Sequence, residues 1–183
     1  MSKKRFDKEI ITRMFPWTET RPMIRHVKGQ NLIGAEIGVR FGHNALNILR
    51  TKDIEKLYLI DPYTEYLTVG GRKFNSKDEN AYLKARDNLK KYRDKVVFMT
   101  EKSSDAYLGI MEELDFCYID GLHTYEGVQQ DIDLYYPLIK KGGLLGGDDF
   151  SIKFQGLCLA VIEFVSKHHL ILHGDGTDWW VQK

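Results

Sequence analysis

Apolar residues recur along this chain in two rhythms. Short continuous runs such as Leu57-Tyr58-Leu59-Ile60 read as strands covered on both faces. Between them, apolar residues fall at helical spacing. Phe6, Ile10 and Met14, at i, i+4 and i+8, predict an amphipathic helix over about residues 5–14, with Pro16 and Pro22 bracketing its exit. Asn31 to Gly38 reads as a first strand and His43 to Arg50 as a helix. Leu57 to Ile60 is a second strand, stopped by Asp61-Pro62. Tyr63 to Lys77, which holds Gly70-Gly71, reads as a loop. Tyr82, Ala85, Leu89 and Tyr92 mark one face of a polar helix, and Val96 to Met99 is a third strand. A short helix follows from about Ser104, and Asp115 to Ile119 is a fourth strand. Val128, Ile132, Tyr135 and Leu138 give a helix ending before Gly142-Gly143. Leu144-Leu145 lies in a fifth strand. Leu157, Ala160, Val161, Phe164 and Val165 again fit a helix. His169 to Leu172 and Thr177 to Val181 predict two closing strands around Gly174-Asp175-Gly176.

Strands alternating with helices imply βαβ units. The expected class is α/β: a doubly wound, mostly parallel, seven-stranded sheet with a final antiparallel hairpin. Residues 1–30 form an N-terminal helical segment, and residues 31–183 form a single domain. With 43% hydrophobic and 29% charged residues the chain can bury a core and is not disordered. Its net charge of +1 gives no general affinity for nucleic acid or membranes. Cys117 and Cys158 form no CxxC pair, which excludes a disulfide scaffold or a cysteine-built zinc site and fits a reducing compartment. The basic start has no apolar stretch behind it, and the best apolar run, Leu157 to Val165, is short and contains Glu163. The expectation is a soluble, cytoplasmic protein; a homo-oligomer is compatible with it.

In such sheets ligands bind beyond the carboxyl ends of the strands. The first strand ends in Glu36-Ile37-Gly38-Val39-Arg40-Phe41-Gly42, an acid-x-Gly-x-x-x-Gly pattern. Its glycines let the backbone turn tightly against a ligand, although a plain strand-to-helix turn has the same glycines. It is not G-x-G-x-x-G, because Arg40 stands at the middle position. Asp61 and Pro62 follow the second strand. Asp61 can accept hydrogen bonds from ribose hydroxyls, or serve as a turn former before proline. Ser103 and Ser104 follow the third strand, beside where an adenine would lie, and either could cap the next helix.

The fourth strand runs into Asp120-Gly121-Leu122-His123, and the fifth into Gly146-Gly147-Asp148-Asp149-Phe150. Asp120, Asp148 and Asp149 therefore converge. Like charges at that distance raise each other's pKa values, and a hard divalent cation, Mg²⁺ above all, removes the conflict. The plain alternative makes Asp148 and Asp149 a loop and cap pair. His123 could take a proton from a hydroxyl, cap the following helix, or bind metal itself. Lys84, Arg86, Lys90, Lys91 and Arg93 read as one solvated face, and Trp179-Trp180 as core and sheet edge.

With these residues in hand, the chain resembles the class I S-adenosylmethionine-dependent methyltransferases. More narrowly it is similar to the small-molecule O-methyltransferases related to macrocin O-methyltransferase. The resemblance covers about residues 31–182 and is strongest from Tyr118 to Phe150. It implies that Glu36, Gly38, Arg40, Phe41 and Gly42 surround the methionine part of S-adenosylmethionine, and that Asp61 and Pro62 meet its ribose. Ser103, Ser104 and Asp120 complete that set. It implies Asp120, Asp148 and Asp149 as ligands of a divalent metal, with Mg²⁺ expected, and a small-molecule or sugar acceptor. Leu122 stands where macrocin-like enzymes carry an acidic residue, which moves the general base to His123. A nucleotide-dependent oxidoreductase and a non-catalytic relative are the alternatives.

Overall fold

The computed structural model describes residues 19–67, 73–75 and 80–183. The helix expected over residues 5–14 lies outside them. The described chain begins with α1 (Pro22–His26), which Pro22 opens. Its ring pre-sets φ, and its missing N–H is one that a first helical position does not use. Then come β1 (Leu32–Ile37), α2 (His43–Thr51), β2 (Ile54–Ile60), β3 (Glu65–Leu67), β4 (Lys73–Asn75), α3 (Ala81–Asn88) and β5 (Val96–Met99). They are followed by α4 (Ser103–Ala106), β6 (Leu114–Ile119), α5 (Tyr125–Tyr135), β7 (Ile139–Gly147), α6 (Gln155–His168), β8 (His173–Asp175) and β9 (Asp178–Gln182).

Seven strands form one sheet in the order β5-β2-β1-β6-β7-β9-β8. The first five are parallel; β9 runs antiparallel to β7, and β8 to β9. The strand order reverses direction beside β1, which places the crevice between the ends of β1 and β6. Alternation along each strand explains why both faces are apolar. Ala35, Ile37, Tyr58, Ile60, Cys117, Ile119 and Leu145 face α5 and α6, whose Val128, Ile132, Leu157 and Val161 cover them. Leu57, Leu59, Phe116, Tyr118 and Leu144 face the other way, toward Met23, Ile24, Ala45, Ile48, Ala81 and Ala85 of the helices opposite. Each fully buried Leu, Ile or Phe contributes about 1.5–3 kcal/mol to that packing.

Three details depart from the pattern reading. The stretch from Tyr63, expected as loop, includes the short antiparallel pair β3–β4, whose ladder runs from Glu65–Asn75 to Leu67–Lys73. Strand β7 starts at Ile139, five residues before the Leu144-Leu145 core, and carries Gly142-Gly143 inside it. The penultimate strand is His173–Asp175 rather than His169 to Leu172. His169 closes α6 in the left-handed region (φ 52°), so the chain needs the next residues to turn back before it can pair. Trp179 and Trp180 are buried as expected, Trp180 stacked between His26 and His173. Among the described residues, no helix is long and apolar enough to cross a membrane.

Candidate functional site

The carboxyl ends of β1, β2, β5 and β6 open into one cavity of about 630 Å³. Its walls include Gly38, Arg40, Asp61, Pro62, Ser103, Ser104, Asp120 and His123. That size suits a small organic ligand rather than a single ion. Glu36, Phe41 and Gly42 stand immediately behind or beside this lining.

The floor is built by backbone. Gly38 has φ +86°, and a Cβ there would lie 1.9 Å from the Asp120 carbonyl oxygen. Only glycine fits that crossing of β1 over β6. Gly38 donates its N–H to Ile60 O at 2.9 Å, and Asp120 donates its N–H to Ile37 O at 2.7 Å. Gly42, at φ +72°, turns the chain into α2. Between them Arg40 is also left-handed, φ 47°. The backbone there adopts a glycine-like turn while keeping a guanidinium, which lies 4.7 Å from the centre of the Phe41 ring.

Glu36 is buried at the end of β1, and its carboxyl is pushed up to about 8 by burial. Asn44 donates to Oε1 at 3.1 Å, whereas Oε2 has no partner. A buried polar oxygen without a partner costs free energy and is explained by a ligand group that completes it. Asp61 serves as a staple: its carboxylate accepts from the amides of Val39 at 3.1 Å, Arg40 at 2.8 Å and Tyr63 at 2.7 Å. An ionised carboxylate has about four acceptor positions, so about one is left for a ligand hydroxyl. Both sequence readings of Asp61 therefore meet in one side chain. Neither Ser103 nor Ser104 caps α4. Lys102 is the N-cap, without a side-chain bond, and the Ser103 hydroxyl turns to Asp131 instead. Nor does His123 cap α5: Thr124 does, accepting from Gly127 N at 3.1 Å.

At the β6 and β7 ends, Asp120, His123 and Asp149 offer one ligand atom each, all within 4.8 Å of one another. His123 Nε2 stands 3.3 Å from Asp120 Oδ1 and 3.4 Å from Asp149 Oδ2, and its ring packs on Phe154. Burial alone would lower the imidazole pKa, but the bond to Asp120 and the surrounding carboxylates raise it. Asp120 and Asp149 are both shifted upward, chiefly by burial.

The expected third carboxylate, Asp148, is not in this cluster. It is ion-paired with Arg21 and accepts from Thr177 Oγ1 at 2.6 Å and Asp149 N at 2.6 Å. Arg21 also pairs with the buried Asp178 and donates from Nε to Tyr118 OH at 2.7 Å. Sequence reading missed Arg21 and Asp178. No local signal marks them, since the Arg21–Tyr118 bond spans 97 positions. The Asp120 and Asp149 carboxylates are oxygen donors of the kind that hold a hard divalent ion such as Mg²⁺ or Mn²⁺, with the His123 imidazole beside them. Oε2 of Glu36 and the glycine-built floor fit an organic cofactor.

A family model described as a methyltransferase domain (methyltransferase family 24) matches residues 35–150, well over half of the chain. The chain belongs to this methyltransferase family. An uncharacterised protein of Acanthamoeba polyphaga mimivirus is 29% identical over 125 residues, covering 66% of this chain and 52% of its own. The chain thus spans about half the length of that curated relative. Among solved structures, the O-methyltransferase NovP aligns with a TM-score of 0.66 at 20% identity, over 94% of this chain and 80% of its own. A Streptococcus mutans protein in complex with SAH aligns at 0.65 and 14% identity, over 100% and 99%. A TDP-rhamnose 3'-O-methyltransferase of calicheamicin biosynthesis aligns at 0.62 and 16%, over 98% and 88%. At these identities the structural likeness establishes the fold. The methyltransferase family's matched segment contains Glu36, Gly38, Asp61, Asp120, His123, Asp148 and Asp149.

Proposed function

We propose that this protein transfers the methyl group of S-adenosylmethionine to a hydroxyl of a small molecule bearing neighbouring hydroxyls, such as a catechol or a sugar, with a divalent cation at the acid edge. The observation that carries this reading is that Asp120 and His123, two members of the Asp120–His123–Asp149 cluster, line the same cavity as the Gly38 floor and Asp61. Donor and acceptor sites thereby share one chamber. Family membership and the SAH-bound neighbour support the cofactor. NovP and the TDP-rhamnose enzyme, both O-methyltransferases, support oxygen as the acceptor.

In this reading Glu36, Gly38, Arg40, Phe41 and Gly42 hold the methionine end. Asp61 and Pro62 hold the ribose, and Ser103, Ser104 and Asp120 border the rest. Asp120 and Asp149 are the carboxylates that hold the cation, preferably Mg²⁺. Asp148 adjoins them with its charge answered by Arg21. Bound there, the cation supplies Lewis-acid polarisation of an acceptor hydroxyl. The chain's own task is placement and proton removal. The sulfonium carbon is already electrophilic, so the acceptor oxygen needs an in-line approach at about 3–3.5 Å. His123 Nε2 takes the hydroxyl proton, and the flanking carboxylates stabilise the imidazolium that results. The oxygen–carbon bond forms as the carbon–sulfur bond breaks, giving a methyl ether and S-adenosylhomocysteine.

The test is transfer of labelled methyl to a panel of catechols and sugar diols beside their single-hydroxyl analogues. Transfer confined to neighbouring hydroxyls is the expected outcome. Equal transfer to single-hydroxyl analogues would overturn two-point acceptor binding.

A further inference from the structure

Arg21 brings a permanent positive charge to the acid edge without taking part in the proposed chemistry. It immediately precedes α1, which is seated against the closing hairpin. Met23 and Ile24 are fully buried, Met23 N donates to Asp178 Oδ2 at 3.0 Å, and His26 stacks on Trp180 with ring centroids 4.7 Å apart. The guanidinium has two carboxylate partners of unlike character. Asp178, the first residue of β9, is buried and also accepts from Tyr118 OH at 3.0 Å. Asp148, directly after β7, keeps 18% of its side chain exposed and adjoins Asp149 in the chain.

The contact with Asp178 anchors Arg21, because leaving would strand a buried charge. The contact with Asp148 is the exchangeable one. Arg21, Thr177 Oγ1 and Asp149 N all meet Asp148 at Oδ1. An ionised carboxylate has about four acceptor positions over its two oxygens, so Asp148 keeps capacity for another partner. Burial raises the carboxyls of Asp120 and Asp149 most, and the charge of Asp148 raises both further. Arg21 acts on Asp149 in the opposite sense. A divalent ion held by Asp120 and Asp149 is therefore within the field of a fixed positive charge, and the nearest further carboxylate is already paired with that charge. Like charges oppose each other, and hard-cation affinity follows the number of anionic oxygens a site can offer.

We infer that Arg21 competes with the divalent cation for Asp148, so that the segment entering α1 sets the cation affinity of the acid edge. This rests on the cation assigned to that edge under the proposed function. It adds a residue, itself neither a ligand nor part of the cavity wall, that regulates the cation's occupancy.

The test is Mn²⁺ binding, read by electron paramagnetic resonance of the free ion, with no turnover required. Arg21→Met is expected to bind Mn²⁺ about 10–10²-fold tighter than wild type, because one anionic ligand is freed and one repelling charge removed. A merely structural role predicts the opposite sign, since a loosened edge would bind the ion more weakly. Arg21→Met/Asp148→Asn restores the net charge and removes the contested carboxylate, so its affinity should return to within about threefold of wild type. Arg21→Met/Asp178→Asn leaves no buried carboxylate stranded; it should keep the gain, and it stands in should Arg21→Met fail to fold. Mn²⁺ binding equal to or weaker than wild type in Arg21→Met, or in that stand-in, would overturn the inference while leaving the cation reading intact. A gain that survives Asp148→Asn would overturn it too, because the contest would not be for Asp148. Wild-type protein and both Arg21→Met and its stand-in all failing to bind Mn²⁺ would remove the cation reading itself, and this inference with it.

Discussion

The two ends of the crevice are built on different principles. At the β1 and β2 ends the machinery is backbone: Gly38 pressed against the Asp120 carbonyl, and the amides of Val39, Arg40 and Tyr63 gathered on Asp61. At the β6 and β7 ends it is side chains drawn from distant parts of the chain. Arg21 comes from the approach to α1, Thr177 and Asp178 from the closing hairpin, and His123 from the loop after β6. The first end is held by backbone hydrogen bonds and close packing. The second is a balance of charges, in which three aspartates around His123 and Arg21 can be re-partnered by removing one member.

The largest effect that would separate the two ends is expected from His123→Gln. Turnover should fall by about 10²–10⁴-fold, the usual share of general acid–base catalysis. S-adenosylhomocysteine affinity, read by calorimetry, should stay within about twofold. If Mn²⁺ affinity collapses along with turnover, His123 is a ligand rather than the proton acceptor.

Next in size is Arg21→Met. Removing the guanidinium leaves Asp178, wholly buried, and Asp148 without their cation. Breaking one side of a buried pair costs about 3–5 kcal/mol, and the part-exposed Asp148 places the expectation at the lower end. The urea midpoint should drop accordingly, and Asp178→Asn in the same background should restore part of it. Additive losses in the double variant would show that Arg21 is not what holds the acid edge together.

Asp61→Ala addresses the other end. Losing the last acceptor position should weaken S-adenosylhomocysteine binding by about 1.5–3 kcal/mol. Because three backbone amides lose their partner too, the thermal midpoint should fall as well. Unchanged affinity in a destabilised variant would reduce Asp61 to a turn residue.

How much of this was legible in the sequence follows the same division. The parallel sheet, the glycine turn after β1 and Asp61 after β2 are local or periodic features, and alternation such as Leu57/Leu59 against Tyr58/Ile60 exposes them. That Asp120, His123 and Asp149 lie close together follows from strand order, which alone brings strand ends together. The pairing of Asp148 with Arg21 was not legible, because a salt bridge between residues far apart in sequence has no period. Ser103 was misjudged for a related reason. A serine before a helix suggests a cap, but a buried acid on a neighbouring helix offered its hydroxyl a better partner.

A separate effect, on stability rather than on turnover or binding, concerns Glu36, whose carboxyl is raised to about 8 in the folded state from an ordinary value of 4.5. The folded protein holds this proton more tightly than the unfolded chain does. The stability it contributes is therefore complete below about pH 4.5 and is lost as pH rises through about 8. The thermal midpoint should decline across that window, and Glu36→Gln should flatten the decline. An equally steep decline in the variant would assign it to another group.

The proposed division of labour between a cofactor cradle and a cation-dependent acid edge has one direct measurement. Wild-type protein is titrated with S-adenosylhomocysteine in chelator and in Mg²⁺, and the same two samples are assayed for methyl transfer to a vicinal diol. The account requires equal affinity in both, with transfer lost in chelator and restored by Mg²⁺. Transfer at full rate in chelator, or cofactor binding that itself needs the ion, would contradict it.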